Sequence, residues 1–89
     1  MSTDTVYCIN PLYRLQWEEA QQKHVLLYPE GMVQLGPTSA EILKRIDGKA
    51  SVQSIADDLA TSFDDDSVAG DVIEFIDVAA KQGWLNANA

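Results

Sequence analysis

Groups that carry out chemistry are scarce in this sequence. Among 89 residues there is one cysteine, Cys8, and one histidine, His24. A single thiol excludes an intrachain disulfide and fits a reducing compartment. One His and one Cys are also too few for a zinc site without several carboxylates. The five glycines never cluster, so no phosphate-cradling loop exists, and neither a G-x-S-x-G elbow nor an H-E-x-x-H helix occurs. Counted from Asp64 as a calcium loop, the acidic run fails at the sixth position, Ala69 rather than Gly, and at the twelfth, Phe75 rather than Glu. No apolar run approaches the roughly 18 residues of a membrane span. Residues 1–10 lack the basic start and apolar core of a signal peptide. These absences predict a soluble, cytoplasmic protein that is not an enzyme, with no metal and no cofactor of its own. Cys8 reads as a thiol in an N-terminal tail and His24 as a structural or surface residue.

Positive charge is the next shortage. Six Lys and Arg face fourteen Asp and Glu, a net charge of −8. The imbalance is local: Asp57, Asp58, Asp64, Asp65, Asp66, Asp71, Glu74 and Asp77 lie in a stretch without one base. Such a surface repels phosphates.

What is present is a chain that can bury a core, with 46% hydrophobic residues and two tryptophans. Tyr13, Leu15 and Trp17 alternate with Arg14, Gln16 and Glu18, the period of a half-buried strand. His24–Tyr28 is apolar on both faces and suits a central strand. Tyr28-Pro29-Glu30-Gly31 reads as a turn, and Met32–Leu35 follows as a third strand. After Gly36-Pro37 the period becomes helical. Thr38-Ser39-Ala40-Glu41 has the form of a capping box, Ile42, Leu43 and Ile46 form an apolar face, and Asp47-Gly48 ends the helix. Ser51 is placed to cap a second helix, whose apolar stripe is Val52, Ile55, Ala56, Leu59 and Phe63. The acidic run at Asp64 lies near the positive end of a third helix, with Val68, Val72, Phe75, Ile76 and Ala79 on its core face. Trp84-Leu85 is expected to fold back as a plug. The expectation is an α+β domain, three short antiparallel β-strands followed by three α-helices in a winged helix-turn-helix-like arrangement. Residues 11–85 form this single domain, residues 1–10 a flexible N-terminal tail and residues 86–89 a C-terminal tail.

A helix-turn-helix shape raises nucleic-acid binding. The helix that would enter a groove, however, bears Asp71, Glu74 and Asp77 against Lys81 alone. The expectation is no nucleic acid and no membrane partner. The third strand lies at a sheet edge, where its free N–H and C=O groups can accept an extended peptide, a second copy of the chain, or nothing.

Trp17-Glu18-Glu19-Ala20-Gln21, followed at a fixed distance by Leu26-Leu27-Tyr28-Pro29-Glu30-Gly31, resembles the signature of the PqqD family. Thr38–Leu43, Asp47-Gly48 and the closing Gly83-Trp84-Leu85 continue the likeness, although Ile46 stands where a cysteine is expected. The resemblance covers about Pro11 to Leu85. It implies a RiPP recognition element of winged-helix type, a peptide chaperone of pyrroloquinoline quinone (PQQ) biosynthesis. It further implies binding of the PqqA precursor peptide and its presentation to PqqE, a radical SAM enzyme whose iron–sulfur clusters supply the chemistry. A peptide groove between the third strand and the third helix is implied as well. Its candidate residues are Met32, Val33, Gln34 and Leu35 on the strand, with Ala69, Ile73, Asp77 and Ala80 on the helix. The other readings are a self-associating adaptor that docks on an enzyme without holding peptide, and a winged-helix DNA-binding protein. The expected state is a monomer with a possible homodimer.

Overall fold

Alternating side chains build the main sheet, and the computed structural model, which describes residues 3–87, gives its register. In chain order the elements are β1 (Tyr7–Ile9), β2 (Arg14–Glu18), β3 (Lys23–Tyr28), β4 (Gly31–Gln34), α1 (Pro37–Lys44), α2 (Val52–Ser62), α3 (Ser67–Lys81) and β5 (Leu85–Ala87). The antiparallel order is β2-β3-β4. Leu15 pairs with Leu26 and Leu26 with Val33, so these three form one row across the sheet. Leu26 is fully buried, which identifies that face as the one turned to the core. Trp17 pairs with His24 in the next row, their rings 5.0 Å apart edge to face. The Leu35 N–H donates to the His24 carbonyl at 3.0 Å, extending the ladder one residue past β4. At the opposite end, Tyr13 stacks on Tyr28 with centroids 5.4 Å apart. Antiparallel strands followed by three helices are thus present as expected.

The core joins Leu26 and Leu35 to Ile42, Leu43, Val52, Ile55, Leu59, Val72, Ile76 and Leu85. Phe63 departs from its expected place. Although it continues the spacing of the α2 stripe, it falls one residue beyond the last helical residue, at the C-cap, and is 45% exposed. The capping box of α1 is also corrected. Pro37 has the fixed φ and missing donor that suit the first helical position, so the helix begins there, with Gly36 as N-cap and no side-chain cap. Thr38 therefore sits inside the first turn. Glu41 instead pairs with Lys44 at 3.0 Å and Arg45 at 2.9 Å.

Ser51 does cap α2, its hydroxyl accepting from the Ser54 N–H at 3.1 Å. At α3, Asp66 occupies the cap position without a side-chain bond. It is Asp65 that accepts from the Ser67 N–H and hydroxyl, at 3.0 and 2.7 Å. The far end closes as a Schellman motif: Gly83, at φ +86°, donates to the Ala80 carbonyl, and Trp84 donates to Ala79. Trp84 then meets Phe75 edge to face, and Leu85 is buried, so the predicted plug is in place.

The largest correction concerns the chain ends. Tyr7–Ile9, expected within a flexible tail, form β1 and pair with Leu85–Ala87 of β5, which takes in Asn86 and Ala87 of the other expected tail. Met1, Ser2, Asn88 and Ala89 of those tails lie outside the described residues. Val6 bridges to Ser51. The Thr5 and Thr3 carbonyls accept from the Val52 and Gln53 N–H groups at 3.0 and 2.9 Å. With Ser51 serving Ser54, the first three helical amides of α2 are all satisfied, a demand every helix start makes. A strand of three residues is too short to display alternation, and its partner lies at the other end of the chain. Cys8 is accordingly a strand residue, half-buried.

Candidate peptide-docking edge and the cavity beside it

A three-stranded sheet has two outer strands, and here they differ in chemistry. β2 carries Arg14, Gln16 and Glu18, of which Arg14 and Glu18 are charged. β4 reads Gly-Met-Val-Gln, with no charge and no proline. Charge and proline are the usual protections of an exposed edge, so β4 is left open to another strand.

The backbone geometry shows which groups are free. Antiparallel residues alternate in the direction of their N–H and C=O groups. Because Leu35 bonds inward to His24, Val33 and Gly31 also point toward β3, opposite Leu26 and Tyr28. Met32 and Gln34 point outward. Among the described residues, neither makes a backbone bond on that side.

The expected groove residues fall into separate environments. Met32 is 46% exposed. Gln34 is exposed and donates through its side-chain amide to Gln21 at 2.9 Å. Val33 is half-buried against the core, and Leu35 belongs to it. Ala69, Ile73 and Ala80 are partly buried and packed on the core. Asp77 pairs with Lys81 at 3.0 Å. α3 packs chiefly on α2 and less on β5 and α1. Its second stripe thus contributes to the interior as well as to the surface.

Of these eight residues, only Gln34 and Leu35 line a cavity of about 680 Å³ at the other end of β4. Its walls include Trp17, Lys23, His24, Lys44 and Phe63, none of which the sequence alone marked as site residues. The sequence offered no signal for them: Phe63 carries the spacing of the α2 core stripe and is turned outward only by its place at the C-cap.

Ionic contacts near the cavity are fixed. Hydrogen bonds from Arg45 first, then Lys44, hold the Glu41 carboxyl below its ordinary value. Asp58 and Glu41 raise the already basic Arg45 guanidinium, which bonds Asp58 at 2.6 Å. Elsewhere the Ala50 and Lys49 N–H groups lower Asp47, and Ser67 lowers Asp65. Among the described residues, no three His, Cys, Asp or Glu side chains gather as a metal site. No helix is long and apolar enough to cross a membrane.

Fold and edge together define a small α+β recognition domain, antiparallel strands leading into three helices with one sheet edge unprotected. The chain belongs to the PqqD family, coenzyme PQQ synthesis protein D, whose family model matches residues 23–85. A Methylococcus capsulatus protein named PqqA binding protein is 44% identical over 85 residues, covering 96% of this chain and 91% of its own. A Klebsiella pneumoniae protein of the same name is 49% identical over 74 residues, covering 82% and 80%. Among solved structures, the PqqD truncation of Methylobacterium extorquens PqqCD matches with a TM-score of 0.79 and 30% identity, over 96% of this chain and 93% of that one. That protein is described as a functional, stand-alone RiPP recognition element. PqqD from Xanthomonas campestris matches at a TM-score of 0.59 and 33% identity, over 97% and 98%.

Proposed function

We propose that this chain is the peptide-binding component of PQQ biosynthesis, taking the PqqA precursor peptide as an added strand on β4. The observation that carries this reading is the unprotected β4 edge, with Met32 and Gln34 turned outward, in a chain whose relatives are named for binding PqqA. Val33, Leu35 and the α3 residues Ala69, Ile73, Asp77 and Ala80 are the proposed flanking surface. The chain itself catalyses nothing in this reading. It acts in the cytoplasm and presents the bound peptide to the radical SAM enzyme PqqE, which supplies the chemistry.

Strand addition alone is insufficient. Met32 and Gln34 together offer four backbone bonds, each contributing roughly 0.5–1.5 kcal/mol net. Micromolar binding requires about 8 kcal/mol. Side chains of the peptide must therefore bury apolar surface on this domain. Titration of isotopically labelled protein with PqqA, followed by NMR, tests the reading. Shifts at Met32–Leu35 and along α3 support it, and their absence leaves the chain as an adaptor that holds no peptide.

A further inference from the structure

The cavity at the end of β4 is unlike the rest of the surface. Trp17 and Phe63, both nearly half exposed, stand among its walls, and Leu35 and Ala40, both buried, form part of its lining. Two of the six basic residues of the chain, Lys23 and Lys44, line it, against one of the fourteen acids, Glu41. That acid is shared between Lys44 and Arg45. Nearby carboxylates are also engaged: Glu19 accepts from the Trp17 indole at 2.8 Å, and Glu18 from Gln16 at 2.9 Å. The Lys23 ammonium forms no ion pair among the described residues. In a chain of net charge −8, this is an apolar hollow with one unpaired cation, Lys23, on its wall.

We propose that this hollow is a second subsite for the peptide, receiving a large apolar or aromatic side chain that is flanked by a carboxylate. The inference rests on the reading that peptide adds to β4. Gln34 and Leu35 belong both to the end of that ladder and to the cavity wall, so a strand laid along β4 leads into it. The ring of the incoming residue packs against Trp17 and Phe63, contacts worth more than area alone when aromatic. Its neighbouring carboxylate meets Lys23, the lining cation that no acid pairs, where the charges are complementary. A second copy of this acidic chain is a poorer occupant, because like charges repel.

The test uses Trp84→Phe protein, in which Trp17 is the sole tryptophan, titrated with PqqA. The half-exposed indole is expected to shift to the blue as peptide covers it. Phe63→Ala and Lys23→Gln are each expected to weaken binding about tenfold while circular dichroism stays folded. The loss from the lysine variant should shrink at high salt, where screening removes its contribution. Binding at unchanged affinity in both variants, with Trp17 emission unmoved, overturns the subsite and leaves strand addition intact. A Trp17 shift driven by protein concentration without peptide assigns the cavity to a second copy and overturns it too. Failure of the unsubstituted protein to bind PqqA overturns both readings together.

Discussion

The start of α2 and the outer edge of β4 pose the same problem, backbone groups without partners, and the molecule treats them in opposite ways. At α2, Thr5, Thr3 and Ser51 satisfy three successive amides, and β1 fastens to β5 beside them. Along β4, the backbone groups of Met32 and Gln34 face outward with no partner among the described residues and no charge or proline to guard them. The closed region ties both chain ends to the helices and contributes stability. The open region contributes little to stability and is where another chain can gain the missing bonds.

The comparison breaks most severely if β1 is removed. Deleting residues 1–9 removes the β1–β5 ladder and the Thr3 and Thr5 carbonyls that accept from the start of α2, which should destabilise the domain by roughly 3–5 kcal/mol. That is a large share of the roughly 5–15 kcal/mol holding a natural domain together. Urea denaturation measures it. At low temperature, where the truncated chain stays folded, PqqA affinity should remain within about twofold of normal.

Met32→Pro is the converse change. It removes one outward donor and places a ring on the edge, while the inward bonds of Val33 and Leu35 persist. PqqA affinity, measured by calorimetry, should fall about tenfold, and the midpoint of urea unfolding should barely move. Ser51→Ala sharpens the closed side: loss of one cap should cost about 1 kcal/mol of stability without altering affinity.

Much of this arrangement was legible in the sequence. The alternation at Tyr13–Trp17 and the two-faced apolar run at His24–Tyr28 defined an edge-and-centre sheet, and the stripe Val52–Leu59 located the core face of α2. β1 was not legible, because three residues carry no period and their partners are contributed by the far end of the chain. Nor was the helix start at Pro37, where a capping-box pattern at Thr38 competed with a proline suited to the first turn. The cavity depended on Phe63, whose spacing matched the core stripe but whose position beyond the helix end turned it outward. Local pattern encodes the elements, while long-range pairing decides which backbone groups are left over.

Acid should have the mildest effect. Glu41, Asp47 and Asp65 are all held below their ordinary values in the folded chain. Each contributes stability that is present above its unfolded value and is lost as pH falls through its folded value. Stability followed by thermal unfolding should therefore be flat near neutrality and decline below about pH 4.5. Because these carboxylates are largely exposed, the decline should be shallow and should weaken further in high salt.

Amide hydrogen exchange at β4 tests the central claim most directly. In free protein the Met32 and Gln34 amides should exchange quickly, and those of Val33 and Leu35, bonded to β3, slowly. Saturating PqqA should slow Met32 and Gln34 at least tenfold and leave the ratio of β1 to β5 protection unchanged. Tight peptide binding that leaves the Met32 and Gln34 amides exchanging at their free rates would contradict strand addition at β4.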